Sequence, residues 1–336
     1  MKKHSKTKKN IDMAEIAKRA GVSKMTVSRA INTPKKVGKN TLLKINKIMK
    51  KTNFSLNETA RYFRSGVSNN VFCFIPTLKG GNFNDYVSGI LNESEKFNSK
   101  VIVEIYDYSL KKEEELLLSC LSLKPQGLIL VGLEHSAKTK KILNHINVPV
   151  VETWDTSKKP IDRLVGFSHY KLGYDLTDRM IKKYKNILFV KSNYSSAKGD
   201  YIRSEKKFIG YRDRILQEKR KVHFTSVNSL DHLESGNEII QYIKKKKKYK
   251  IDCIMCDEIC ALGTIYQANI YNIKIPQQLA VVGMGNSQTA QLSMPKLTTI
   301  DINAYQIGKK ALSQIFQFDN NTITNIDYKF IKGESA

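Results

Sequence analysis

The 336-residue sequence contains no run of 18 or more apolar residues, so it offers no segment able to cross a membrane as a helix. Its opening, MKKHSKTKKN, is basic, but no apolar region follows. That argues against a secretory leader and for a cytoplasmic protein. Cysteine is sparse, at Cys73, Cys120, Cys253, Cys256 and Cys260. Cys253-x-x-Cys256 has a zinc or redox spacing, but no second Cys or His pair accompanies it, and Cys253 lies in the strand-like run IDCIMC. Buried thiols are the simpler reading, with no metal expected. No internal period stands out. The G-x-S-x-G elbow, the G-x-x-x-x-G-K-[ST] phosphate loop and the G-x-G-x-x-G dinucleotide turn are all missing, and acids and histidines lie scattered. The chain reads as no enzyme and as needing no cofactor.

Acidic residues are also scarce, and unevenly so. Lys and Arg number 57 against 31 Asp and Glu, a net charge of +26. Residues 1–65 hold 18 of the cations and only Asp12, Glu15 and Glu58 as acids, a local net of +15 that leaves +11 for the other 271 residues. Such a concentration at one end suits a module that grips phosphates. The run Lys244–Lys248 reads instead as a solvated helix end. The length exceeds what one small core needs and allows a small basic module plus a larger domain.

Local pattern gives that division its form. Asp12-x-x-Glu15 is a capping box ahead of a helix over 12–20 with Met13, Ile16, Ala17 and Ala20 on one face. Gly21 supplies a tight turn. Ser23 caps a second helix, Lys24 to Ile31, with Val27, Ala30 and Ile31 inward, and Pro34 ends it. A third amphipathic helix runs from about Asn40 to Lys51, its apolar positions Leu42, Leu43, Ile45, Ile48 and Met49. Two short helices around a glycine turn, braced by a third, form a helix-turn-helix. NETARYFRSG, from Asn57, is helical by propensity but too short to be stable alone. From Val71 onward, apolar runs alternate with helical patterns: VFCFI, VIVEI, GLILV, VPVV, NILFV, IDCIMC and LAVVGM. Such runs imply parallel sheets covered on both faces, and about ten units imply two α/β lobes with a cleft at the strands' carboxyl ends.

The segment MAEIAKRAGVSKMTVSRAIN resembles the helix-turn-helix signature of the lactose-repressor (LacI) family nearly residue for residue. NETARYFRSG falls where that family has its hinge helix, and CDEICALG and IPQQLAVVGMG resemble two landmarks of its effector domain. Within the family, KMTVSR, GLIL, VPVVE..D, VGF and QLSMPKLTTI are most similar to the gluconate-operon repressors. The resemblance implies an α/β chain with an N-terminal all-α helix-turn-helix headpiece (1–56), a hinge (57–66) and a two-lobed, periplasmic-binding-protein-like effector and dimerisation domain (67–336). The N-lobe is expected at about 70–168 and 299–324, the C-lobe at about 169–298 and 325–336.

In such a headpiece the second helix enters the major groove. Lys24, Met25 and Arg29 are then placed to read bases. Arg29 suits a bidentate contact to guanine, worth about 1 to 3 kcal/mol of discrimination. Ser23, Thr26, Ser28 and Asn32 suit phosphates, which position without specifying sequence. The resemblance carries Asn57, Ala60 and Phe63 to the minor groove, with Phe63 as a wedge that kinks the duplex. Leu56 stands where the family has Pro, Phe63 where it has Leu, and Gly38 where a Ser cap is usual. The family's remedy for one weak module is a homodimer on a palindromic operator of double-stranded DNA.

The resemblance also places Asn82, Phe83, His135, Asp155, Arg203, Lys207, Asp257 and Asn286 at an effector site, with Glu134 and Glu152 beside them. Lys207 stands where relatives carry Arg, Asp257-Glu258 where they carry Asn-Asp, and an Asp common near Gly285-Asn286 is missing. Lys207 and Arg203 suit a carboxylate or phosphate, and Asn82, His135 and Asn286 suit hydroxyls, which points to a sugar or a sugar acid such as gluconate or its phosphate. His135 reads equally as a structural histidine. Two alternatives stay open: a cytoplasmic sugar-binding α/β protein, and a regulator that has lost its effector response. Whether ligand induces or corepresses is also open.

Overall fold

The computed structural model describes residues 11–52, 54, 68–193, 198–229, 231–317 and 322–336. Residues up to Gly66 form one compact unit, and those from Val67 a second and larger one. The hinge positions Asn57, Ala60 and Phe63 lie outside the described residues.

In the first unit, helix α1 spans Met13–Ala20, α2 Lys24–Asn32 and α3 Lys39–Lys51. The Asp12 side chain accepts from the Glu15 N–H at 2.9 Å, while the Glu15 carboxylate accepts from Arg19 Nε at 2.7 Å. Gly21 ends α1 at φ 65°, a left-handed conformation that glycine adopts without a Cβ penalty. Ile16, Ala17, Ala20, Val27, Ala30 and Ile45 form the core. Leu43, one of the apolar positions of α3, is 61% exposed. Leu42, Ile48 and Met49 pack against the core around Ile45, and Leu43 falls on the side of the helix away from it.

Among the described residues, the second unit holds twelve strands in two six-stranded sheets. The first sheet contains β1 (Asn70–Ile75), β2 (Lys100–Ile105), β3 (Gly127–Val131), β4 (Val150–Thr153), β5 (Arg163–Gly166) and β11 (Ile323–Asn325), in the order β11-β5-β4-β3-β1-β2. All its pairings are parallel. The second contains β6 (Ile187–Ser192), β7 (His223–Val227), β8 (Cys253–Asp257), β9 (Ala280–Gly285), β10 (Thr298–Asp301) and β12 (Lys329–Ile331). Its order is β12-β10-β9-β8-β6-β7, and only β12 runs antiparallel. Helices α4 (Gly81–Ser94), α5 (Leu110–Ser122), α6 (Ala137–Leu143) and α11 (Ala304–Phe316) belong with the first sheet. Helices α7 (His169–Met180), α8 (Lys198–Gln217), α9 (His232–Lys245) and α10 (Glu258–Ile270) belong with the second.

The chain passes between the lobes after Gly166, after Asp301 and after Asn325. The second passage corrects the expected boundary at 298/299: Thr298–Asp301 pairs with β9, so this strand completes the second sheet before the chain crosses. Cys253 and Cys256 lie on one strand but join two different core clusters. Alternate strand positions face opposite sides of a sheet, so three residues apart these thiols point away from each other.

Three helix pairs pack through a glycine on each partner: α4–α11 by Gly89 and Gly308, α7–α8 by Gly173 and Gly210, α9–α10 by Gly236 and Gly263. A Cβ at any of these six would collide with backbone of the facing helix. At α7–α8 the close approach seats Lys207 and Arg203 of α8 beside the first interlobe passage.

Candidate functional site

The first candidate surface is the outer face of α2. Val27 and Ala30 are buried in the small core, which turns Lys24, Met25 and Arg29 outward. Met25 is 63% exposed. Ser23 is spent on the helix itself: its Oγ accepts from the Thr26 N–H at 3.1 Å and lies 3.0 Å from Thr26 Oγ1. Ser28 is half-buried. The backbone of Asn32 closes α2, and its side chain lies outside the described residues. The face therefore offers two long cations around one unsupported thioether, a surface suited to a polyanion with apolar edges.

The second is a cleft between the two lobes of the larger unit, at the carboxyl ends of β1, β4, β8 and β9, where open α/β sheets bind ligands. Its free volume is about 100 Å³, behind a mouth open to solvent. One wall is aromatic. Trp154 stacks on Phe83 at 4.9 Å and meets Tyr86 edge-on at 5.2 Å. Trp154 sits at φ 73°, a region that costs a non-glycine residue about 1–3 kcal/mol. Its N–H donates to Val165 O at 3.0 Å, and its carbonyl accepts from His169 Nε2 at 2.7 Å, so hydrogen bonds on both sides hold that conformation.

The opposite wall is charged. Lys207 donates to Asp257 Oδ1, and Ser192 Oγ donates to Asp257 Oδ2 at 2.5 Å. Asp257 is thus engaged by side chains and does not cap α10 with its carboxylate. The guanidinium of Arg203 lies against Gly132, where a Cβ would crowd it. Glu258 accepts from the backbone N–H of Asn286, from that of Ser287 at 2.7 Å and from the Ser287 hydroxyl. Burial pushes the Glu258 carboxyl up despite those donors.

Of the expected residues, Asn82, Phe83, Arg203, Lys207 and Asp257 line this cleft together. Asp155 does not. It lies with Arg203 and Glu134 along a smaller adjoining cavity, and its carboxylate accepts from Lys206 at 2.5 Å. Asn286 holds φ 96° behind Glu258 and is likewise off the cleft lining. His135 is removed from it altogether. The ring is buried with Nδ1 2.8 Å from Glu113 and Nε2 3.6 Å from Glu152. Burial opposes its charge, but the two carboxylates outweigh burial and push the pKa up to about 9. Of the two readings the sequence leaves open for His135, this placement off the cleft and between two buried acids accords with the structural one.

Two cleft residues had no sequence signal, Trp154 and His169. His169 follows β5 and packs edge-on against Phe167 at 4.6 Å. Burial, then the charges of Lys207 and Arg203, drive its pKa well below 6.5, so the ring is neutral.

The family description "Bacterial regulatory proteins, lacI family" matches residues 12–57, and "Periplasmic binding protein-like domain" matches 209–325. The HTH-type transcriptional regulator IdnR of Escherichia coli (strain K12) is 28% identical over 334 residues, covering 97% of this chain and 98% of its own. A crystal structure of a LacI-family transcriptional regulator from Silicibacter pomeroyi matches with a TM-score of 0.87 at 26% identity, over 97% of this chain and 99% of that one. The lac repressor dimer bound to operator and the anti-inducer ONPF matches with a TM-score of 0.84 over 97% and 99% of the two chains; at 17% identity this shows the fold alone. Residues 12–57 thus match the LacI family of bacterial regulatory proteins, residues 209–325 match a periplasmic-binding-protein-like domain, and over nearly its whole length the chain is similar to LacI-type transcriptional regulators.

Proposed function

We propose that the chain is a cytoplasmic, homodimeric repressor that reads a palindromic operator with α2 and adjusts its hold on that operator to a small polyhydroxylated anion, a sugar acid such as gluconate or its phosphate. The exposed Met25 between Lys24 and Arg29 carries the DNA half of this reading. Arg29 takes a guanine edge, Met25 a thymine methyl, and Lys24 a second base or a phosphate. Phe63 as a wedge and Asn57 and Ala60 as its neighbours remain proposals from the family resemblance. The lac repressor structure of matching fold is described as a dimer on operator, which supports two-fold pairing here.

For the ligand half, the support is a cleft with an aromatic wall facing Lys207 and Arg203. A lysine ammonium has three donors and Asp257 takes one, so the pair still suits a carboxylate. Ligand acts by population shift, and only by as much as it prefers one state of the protein. One observation favours the second reading, a regulator without effector response: Lys207 already has an internal counter-ion in Asp257.

The deciding experiment selects duplexes from a random pool with the full chain, then titrates the enriched sequence with and without gluconate and its phosphate across a salt series. Enrichment of a palindrome, steep salt dependence and a ligand-shifted affinity support the whole reading. No enrichment overturns it, and enrichment without any shift leaves the second reading.

A further inference from the structure

The second sheet has the cleft at one end and a cationic surface at the other. Strands β8, β6 and β7 are neighbours and run parallel, so the three loops that enter them share the sheet's amino end. These loops and the helix ends before them include residues 182–185, 219–221 and 244–250, which hold twelve Lys or Arg and no acid. The run Lys244–Lys248 reads from sequence as a solvated helix end, but α9 stops at Lys245 and the fold sets the run against the other two segments. Arg220 Nη1 donates to the Tyr184 carbonyl at 2.9 Å, and Asn186 Nδ2 donates to the Lys250 carbonyl at 3.1 Å. The ammonium groups of Lys221 and Lys248 stand 5.2 and 5.5 Å from the centre of the Tyr249 ring.

Little neutralises this surface. Among the described residues, Lys182 alone of the twelve pairs with a carboxylate, that of Asp178 at 3.2 Å. Glu218 is taken by Arg214 at 2.8 Å, and the two Asp252 oxygens accept the backbone N–H groups of Lys185 at 2.8 Å and Asn186 at 3.0 Å. Helix dipoles favour cations at the ends of α7, α8 and α9 within about a turn, which leaves Lys247, Lys248 and Lys250 without that reason. Lys219 and Lys250 sit at φ 56° and 47°, left-handed positions that glycine or asparagine takes more easily, so the turns themselves do not call for lysine. Crowded cations raise a positive potential that a polyanion relieves. The surface narrows that polyanion. No large apolar side chain in the three segments is exposed, Tyr184 is buried, and Tyr249 is half-buried and flanked by the patch's own lysines. Single strands therefore find no stacking platform, and a bilayer surface or a protein partner finds no apolar anchor. Lysine, a point charge without the planar fork of arginine, suits phosphates met along a backbone. We propose that the amino end of the second sheet is a sequence-independent contact for the phosphates of duplex DNA, distinct from the α2 surface of the smaller unit. The duplex that α2 is proposed to hold is the polyanion at hand, so the choice of partner rests on the DNA-binding reading above.

The test is lysine footprinting of the full chain, with acetylation rates read by mass spectrometry in the presence and absence of excess random-sequence duplex at low salt. Lys183, Lys185, Lys221, Lys247 and Lys250 are expected to lose reactivity, as is Lys24 of α2, and all regain it at high salt. Combining Lys245→Gln, Lys247→Gln and Lys250→Gln removes the protection of Lys183 and Lys185 and leaves the Lys24 footprint and the thermal midpoint unchanged. Protection confined to the smaller unit overturns this proposal and spares the DNA-binding reading, whereas protection nowhere overturns both. Protection of the patch by polyglutamate or by phosphatidylserine vesicles but not by duplex overturns it as well, and so does patch protection that the triple substitution leaves intact.

Discussion

Met25 is a side chain that a small core would ordinarily hide, yet it stands clear of the protein with a cation on either side. Exposed alone it means little; beside Arg29 it is where the proposed reading puts a base contact. Arg29→Ala is expected to flatten preference at one operator base pair by about 5- to 150-fold, from a contact of roughly 1–3 kcal/mol, while weak nonspecific binding persists. Competition titrations against single-base operator variants check this, and equal loss on all sequences contradicts it. These residues were legible beforehand because a helix-turn-helix is local, its residue types set by spacing within twenty positions. The partners of His135 and His169 were not, because they lie 15 to 22 positions away in sequence and only the folded sheet brings them in. The two rings act oppositely with pH. With its pKa raised from 6.5 to about 9, His135 contributes stability that is whole below pH 6.5 and lost as pH rises through about 9. His169, lowered, contributes stability that is whole above pH 6.5 and lost as pH falls below it. His135→Gln should therefore flatten the decline in urea midpoint between pH 6.5 and 9; an unchanged slope counts against the buried imidazolium.

At the scale of elements, the long apolar strands were readable and the others were not. β1, β3, β8 and β9 are near-continuous hydrophobic runs, as strands covered on both faces must be. β7, HFTSV, carries exposed and half-buried positions along its middle, and it lies at a sheet edge. β5 has four residues and β11 and β12 three each, too short for periodicity to register. The glycine contacts were equally invisible, since each needs a partner helix to give it meaning. Gly210→Val tests one of them. Its side chain would collide with the Tyr170 carbonyl and push α8 from α7, at a cost of about 1–3 kcal/mol for overpacking. Because Lys207 lies three residues away on α8, effector response should weaken as the thermal midpoint drops, with operator selectivity kept. Loss of midpoint without loss of response separates packing from ligand placement.

For the whole molecule, the division into a small basic unit and a larger α/β unit was already present in the charge distribution and the change of pattern near Val71. The cleft's membership was only partly so: five of eight expected residues line it, while the buried His135 and Asp155 pair with other charged side chains and Asn286 gives its backbone N–H to Glu258. Lys207→Ala is expected to abolish a gluconate-dependent change in operator affinity and leave ligand-free operator binding within about twofold, measured by fluorescence anisotropy. A retained response moves the ligand away from α8.

The repeated passages of the backbone between lobes bear on how the protein is made. Helix α11, which covers β3, β4 and β5, is translated only after β10, once nearly all of the second lobe exists. The edge strands β11 and β12 follow later still, and Ser335, wholly buried, ties β9 to β10 by donating to the Val281 carbonyl at 2.6 Å and accepting from the Thr298 N–H at 2.8 Å. Neither lobe can be finished on the ribosome before its neighbour. An interrupted message therefore yields a chain with one sheet face bare and both sheets short of an edge, a substrate for quality control and not a half-working sensor.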